Sequence, residues 1–497
     1  MRNKSIIFTV IFTLLICVPS MAYEGWSAKI RVNQTDTTGL QGIIAGGMTI
    51  RDNGKLAMVW ENSENDSGDS SNTIHVNQLE FLEGTLGYAW GTETAICTTG
   101  RESGYPDDHP LVIQHGDSLA VGYFNISGPY SNIKFYSSYI DSTGTNRAYF
   151  NTIAIGKPGA NEFRHCAAAN FRPDSLCKTI FVWYEPPDSV PSSSSRKVLR
   201  YTDLTDSVWN TSTDWVGDLD ADTAAVSVAP TMVTDSEGNI HMLFVKSDTS
   251  GSVGIGRICY MKYDDSGWDT SSLDSIDTGD CWLPWITYCE KDINLHAVWL
   301  KDSSGVVVLK YAKWPVDSDI SSATDTTLVT LDGSSNYMRR PNIAALTNGK
   351  LMVVWNDSVD SNNNCIKYLI HNSTSWQSIK TVINYCGASG QALIAQDSTR
   401  FNLCAHLILD SPAYLDVFYW EYPLNLGFIP GDANGDTTLS GLDVTYHSNY
   451  FKGGPPPPIM AAADANASCY VTGLDVIYLS NYFKGGPAPL HGICDWR

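Results

Sequence analysis

From residue 46 to about 420 the chain repeats one arrangement of apolar and polar positions: a short apolar stretch, a polar turn, then an alternating run ending in an aromatic. The instances are Met48 to Trp60, Pro110 to Phe124, Cys166 to Trp183, Pro230 to Phe244, Pro284 to Trp299 and Pro341 to Trp355, with Gln391 to Leu407 a degenerate seventh. Period-two alternation, as in Ile240-His241-Met242-Leu243-Phe244, places successive side chains on opposite faces of a strand, and Asp, Asn and Gly punctuate the runs. An apolar-x-aromatic strand follows: Ile133-Lys134-Phe135, Leu199-Arg200-Tyr201, Ile258-Cys259-Tyr260, Leu309-Lys310-Tyr311 and Ile366-Lys367-Tyr368. A fourth strand, such as Trp376 to Asn384, often comes next. Four strands per repeat predict a mainly β fold, a β-propeller of four-stranded blades. The segment Gly25 to Asn33 matches the fourth strand Ser375 to Asn384 yet precedes any first strand. It is therefore expected to complete the last blade, so that the ring closes without unpaired edges. Seven blades are expected, with six as the alternative.

Beyond Tyr422 the pattern changes. Residues 432 to 443 read Asp-Ala-Asn-Gly-Asp-Thr-Thr-Leu-Ser-Gly-Leu-Asp, with oxygen-bearing groups at the loop positions that wrap calcium in a twelve-residue turn. The expected ligands are Asp432, Asn434, Asp436, the Thr438 carbonyl, Ser440 through water, and Asp443. A second copy in register supplies Asp464, Asn466, Ser468, Tyr470, Thr472 and Asp475. Ser468 stands where the first copy has an acid, so the second site is expected to hold Ca2+ more weakly. The loops run into near-identical segments, Gly441 to Gly454 and Gly473 to Gly486, which differ only at Thr445/Ile477 and His447/Leu479. Each reads as a short helix stopped by a Gly-Gly pair, and Pro455 to Pro458 make an extended spacer between them. So small a unit has little core, and calcium is expected to hold it together.

The tail, residues 427–497, resembles type I dockerins, whose loops carry Asp rather than Glu at the twelfth position. That resemblance implies an α-helical, EF-hand-like module that docks onto a cohesin domain of a scaffold or other cell-surface protein. Positions 10 and 11, which help choose a dockerin's partner, are Gly441-Leu442 and Gly473-Leu474 here rather than hydroxyl residues. They point to an unfamiliar cohesin or to none. The repeats of residues 23–426 resemble non-enzymatic relatives of sialidase-type propellers, sharing their Pro-opened strand pair and following Ile-x-Tyr. The S-x-D-x-G-x-x-W boxes of true sialidases are missing from the sequence.

Arg2 and Lys4, the apolar run Ile6 to Val18 and the small residues up to Ala22 read as a secretory leader cleaved after Ala22. The run is too short for a membrane span, and no later stretch is long enough, so a secreted protein or one at a bacterial cell surface is expected. Ile16 before Cys17 argues against lipid attachment. Loss of Arg2 and Lys4 takes the formal charge from -21 to -23, a balance that repels nucleic acid and anionic membranes. Of the twelve cysteines Cys17 leaves with the leader. Export favours disulfides, and spacing suggests Cys365 with Cys386, Cys259 with Cys281, Cys166 with Cys177, and Cys469 with Cys494, though spacing alone does not fix connectivity. Cys97, Cys289 and Cys404 are left over as expected buried thiols. No C-x-x-C pair or His/Cys cluster shows zinc-like spacing.

Propeller ligands bind at one mouth of the central channel. The loops leading there are expected to carry Asp107, Asp108 and His109, then Glu162, Arg164 and His165, Trp282, and Tyr337, Arg339 and Arg340. Of these, Asp108, Glu162, Arg164, Tyr337 and Arg340 are the candidate ligand contacts, since arginines clamp carboxylates and paired acids cleave glycosides. Trp60, Trp183, Trp299 and Trp355 sit at a fixed place in each repeat and are expected in the core between blades. Phosphate-binding glycine loops, a G-x-S-x-G elbow and H-E-x-x-H are missing. Two functions stand: a non-catalytic binding or surface protein recognising polysaccharide or protein, and a secreted glycoside hydrolase of polysaccharide catabolism in a cellulosome-like assembly.

Overall fold

Alternating β-branched and aromatic residues favour pleated strands with one or both faces buried. The computed structural model of the chain is accordingly mainly β. It describes residues 27, 30–32, 41–42, 47–50, 56–64, 71–81, 88–90, 94–95, 107–116, 118–127, 132–140, 146–149, 166–171, 178–185, 198–205, 208–210, 214–215, 230–246, 256–331, 340–360, 363–382, 393–396, 400–409, 414–423 and 428–491. No described helix is long and apolar enough to cross a membrane. The chain divides into two compact units, one within residues 31–79 and 90–419, the other within 1–30, 80–89 and 420–497.

In the larger unit the strands pair in antiparallel meanders. Asp107–His115, Ser118–Ser127, Asn132–Ile140 and Asn146–Tyr149 make one sheet in sequence order. Asn342–Ala345, Leu351–Asp360, Asn363–His371 and Lys380–Thr381 make another. Between Thr231 and Thr330 seven strands share one ladder, because Gly267–Cys289 runs for 23 residues. Its first part pairs with Gly256–Asp264 and its last part with Asn294–Ser303. The strand bends at Gly279 (φ 102°) and Leu283 (φ 53°), with a register shift between Trp282 and Trp285.

The leading strands of these sheets touch in a closed order. Met48–Ile50 lies against Asp107–His115, followed by Cys166–Phe171, Thr231–Thr234, Gly267–Cys289, Asn342–Ala345 and Leu393–Gln396, which returns to Met48–Ile50. The sheet begun by Leu393–Gln396 continues through Arg400–Leu409 and Tyr414–Pro423 to Ile30–Arg31. There the Val32 amide donates to the Val417 carbonyl at 2.8 Å.

The core lies between neighbouring sheets. Ala57 and Val59 pack with Val112 and Val121, Leu111 with Phe181 and Trp183, and Ile180 and Val182 with Met242 and Phe244. A larger cluster gathers Leu243, Trp299, Trp314, Val353 and Trp355. Trp60, Trp183, Trp299 and Trp355 are at most 2% exposed, which makes them packing residues rather than a stacking platform.

Most expected disulfides are corrected by this packing. Cys259 and Cys281 are both buried and are not joined in a disulfide. Cys281 stands opposite Gly256 in the ladder, three residues from Cys259, and the two thiols enter different core clusters on opposite faces of the sheet. Cys166 is free and turned into the cluster of Leu111 and Trp183, and Cys365 is free and stands opposite Asp357. Their expected partners Cys177 and Cys386, with Cys97 and Cys494, lie outside the described residues. Cys289 and Cys404 are free and buried, whereas Cys469 is disulfide-bonded.

The smaller unit takes in the end of the last long strand, ahead of the boundary expected at residue 426. Ser27 explains why: its amide donates to the Glu421 carbonyl at 2.8 Å, and its Oγ accepts from the Glu421 amide at 2.9 Å. His491 Nε2 then lies 3.3 Å from the Glu421 carboxylate. The helices Gly441–Tyr450 and Gly473–Tyr482 pack on each other, with the short helix Met460–Ala463 before the second loop. Gly454 and Gly486 end the two long segments at the same place, each amide donating at 2.9 Å to the carbonyl five residues back. A Cβ on either glycine would stand 2.8 Å from that oxygen, which explains the glycine.

Candidate functional site

Two loops of the smaller unit carry the expected oxygen donors, and they share one conformation. Asp432 accepts from the amides of Gly435 (2.9 Å), Asp436 (3.2 Å) and Thr437 (2.8 Å). Asp464 accepts from the Ser468 and Cys469 amides at 2.9 and 2.8 Å. Asp443 reaches back to the amides of Asn434 (3.2 Å) and Ser440 (2.7 Å). Asp475 does the same with Asn466 (3.1 Å) and Thr472 (2.8 Å). Ser440 and Thr472 also cap their helices, so the twelfth residue of each loop closes the loop and completes a capping box.

Exposure follows the same order in both loops. Asp432, Asp443, Asp464 and Asp475 are buried, Asn434, Ser440, Asn466 and Thr472 half-buried, and Asp436, Thr438, Ser468 and Tyr470 exposed. Burial pushes the Asp443 carboxyl up to about 6; amides of Ser440 and Asn434 oppose this, and the charges of Asp432 and Asp436 reinforce it. Asp464 also rises to about 6, through burial first, with the Asp475 charge adding to it. Acids crowded together and withdrawn from water favour a cation among them, and the donor set, all oxygen, fits a hard ion such as calcium.

Of the expected mouth residues, Asp107, Asp108, His109, Trp282 and Arg340 fall among the described residues. Asp107, Asp108 and His109 belong to the strand Asp107–His115 rather than to a loop, with a register shift between Asp108 and Leu111. Trp282 is 5% exposed inside the main core cluster, because the long strand carries it inward. Arg340 is half-buried just ahead of Asn342–Ala345. Glu162, Arg164, His165, Tyr337 and Arg339 lie outside the described residues. A cavity of about 210 Å³ does open between leading strands, lined by Met48, Leu111, Ile113, Ala168, Met232 and Trp285 among others. This lining suits apolar contact.

Sequence reasoning missed a pair of turns in the larger unit. In the first, His241 Nε2 lies 2.9 Å from Asp235 Oδ2 and Nδ1 2.7 Å from the Tyr260 hydroxyl. In the second, His296 Nε2 lies 3.2 Å from Asp292 Oδ1 and Nδ1 2.8 Å from the Tyr311 hydroxyl. The signal was present: Asn239-Ile240-His241 and Asn294-Leu295-His296 are parallel, and both tyrosines close the apolar-x-aromatic motif. Burial works against ionising Asp292, yet hydrogen bonds from His296 and Cys289 hold it well below the usual carboxylate range. Burial pushes the Cys289 thiol up to about 11.

The described residues thus define a mainly β protein with a short helical tail of paired acidic loops. No protein-family model matches the chain, and no curated protein matches it. Among solved structures it is similar to an ulvan lyase of a polysaccharide lyase family (10% identity, 79% of this chain and 94% of that one, TM-score 0.48). It is similar also to the NanB sialidase of Streptococcus pneumoniae (11% identity, 81% and 71%, TM-score 0.40). A third is a protein of unknown function from Dyadobacter fermentans (9% identity, 80% and 100%, TM-score 0.42). Likenesses this faint assign no activity to the chain.

Proposed function

We propose that this is an exported, non-catalytic binding or surface protein: a seven-bladed propeller that recognises polysaccharide or protein, delivered by a dockerin-like tail holding two calcium ions. The matched pair of loops carries the reading. Asp432, Asn434, Asp436, the Thr438 carbonyl, Ser440 and Asp443 would hold the first ion. Asp464, Asn466, Ser468, the Tyr470 carbonyl, Thr472 and Asp475 would hold the second, more weakly for want of a third carboxylate. Calcium supplies the positive charge that lets the buried acids ionise and the two helices pack, presenting a surface for a cohesin-type or other cell-surface partner. The closed order of seven leading strands supports the blade count, since a closed ring leaves no sheet edge open.

Calorimetry of the full chain tests the tail. Chelation is expected to abolish a small transition and leave the large one in place, and isothermal titration to return two calcium ions of unequal affinity. One unchanged transition in chelator refutes the calcium assignment. A glycan array with a hydrolysis screen tests the propeller, and turnover of any glycan replaces the binding reading with an enzymatic one.

A further inference from the structure

The turn joining Gly267–Cys289 to Asn294–Ser303 gathers Cys289 Sγ, an Asp292 carboxylate oxygen and a His296 ring nitrogen within 4.8 Å of one another. We propose that this group binds a zinc-class divalent transition-metal ion, with Cys289, Asp292 and His296 as ligands.

The preceding turn is the built-in control. Asp235 has Met232, not a cysteine, three residues before it. Its carboxylate is filled by the Glu237 amide (2.9 Å), the Asn239 amide (2.8 Å), Asn239 Nδ2 (3.1 Å) and His241. Its side chain is 3% exposed. That turn is a closed hydrogen-bonded clip. Asp292 in the later turn has a side chain 39% exposed and faces a thiol as well as an imidazole. The cluster therefore has both an opening to solvent and a soft donor that the clip lacks.

Tyr311 holds His296 Nδ1 at 2.8 Å, as Tyr260 holds His241 in the clip, which fixes the ring and leaves Nε2 for the cluster. From the next sheet, His371 carries a buried Nδ1 with no hydrogen-bond partner among the described residues. Its ring stands 5.0 Å from Trp376, which packs at 5.1 Å on Tyr311. His371 is thus joined to the Tyr311 that holds His296 by way of Trp376, outside the three-residue group. Thiolate with imidazole selects zinc or cobalt over calcium, and three protein ligands leave one position for water. On binding, the Cys289 S–H bond gives way to a sulfur–metal bond and one proton passes to solvent, so affinity rises with pH.

The test uses the full chain in saturating calcium, so that oxygen sites are filled, titrated with Co2+ as a spectroscopic stand-in for zinc. One equivalent is expected to develop a thiolate-to-cobalt charge-transfer band that zinc displaces. Cys289→Ser is expected to remove the band, His296→Gln to weaken binding at least tenfold, and Cys404→Ser, buried elsewhere, to leave it intact. Metal-free Cys289→Ser should unfold at the wild-type temperature, which separates lost ligation from lost folding. No band in the wild type, or a band that survives Cys289→Ser, overturns the proposal and leaves a second clip like that of Asp235.

Discussion

The two loop–helix copies of the tail share a backbone but not their buried chemistry. Both loops turn through left-handed residues at the same two places, Gly435 (φ 74°) and Thr437 (φ 65°) in the first, Ala467 (φ 57°) and Cys469 (φ 62°) in the second. The first copy keeps Asp436 and buries His447; the second has Ser468 and buries Leu479 at the matching positions. His447 is fully buried, with neither ring nitrogen hydrogen-bonded among the described residues, while Leu479 fills its place without that cost. Duplication thus preserved the loop frame and let each copy specialise: the first toward charge, the second toward core.

The largest effect expected is on pH. Without calcium, Asp443 and Asp464 titrate near 6 in the folded chain, above the ~4 of an unfolded aspartate. The folded state then binds protons more tightly, so their contribution to stability is present below about pH 4 and lost as pH rises through about 6. Burial lowers the His447 pKa, so its contribution has the opposite sign, present above about 6.5 and lost on acidification. In a His447→Leu background the tail is expected to melt at lower temperature at pH 7 than at pH 5 in chelator, and at higher temperature in calcium. Equal slopes in both conditions would break the comparison.

His447→Leu by itself is expected to stabilise the tail by about 2 kcal/mol, the order of cost of a buried polar group left unpaired. An unchanged melting temperature would mean that the imidazole finds a partner in solution. Ser468→Asp is expected to tighten the proposed second calcium site about tenfold, or ~1.4 kcal/mol, read by titration calorimetry. The smallest effect belongs to Ala467→Gly. Relieving a left-handed alanine is expected to add about 1 kcal/mol, and the same change at a right-handed alanine such as Ala462 should lower stability instead.

Much of this was legible in the chain. Apolar runs punctuated by Asp, Asn and Gly located the strands, even where a strand such as Ile240–Lys246 is buried on both faces, and the repeated spacing of oxygen-bearing residues located two loops of one backbone conformation. Other features depended on where strands lie in space. The step of three from Cys259 to the partner of Cys281 set those thiols on opposite faces, which spacing cannot reveal. The turn of Cys289, Asp292 and His296 escaped because its donors are few and span a strand, a turn and a second strand. Asp107 to His109 read as a loop because Pro110 normally opens a strand, yet the ladder absorbs the proline at a register shift.

Among the described residues the larger unit has one strand, Gly267–Cys289, that runs through two meanders. Here the outgoing edge of one sheet and the innermost strand of the next are a single stretch of hydrogen-bonded backbone. Strain at its bend is shared by two cores at once, so these two sheets are welded into one mechanical block and give way together.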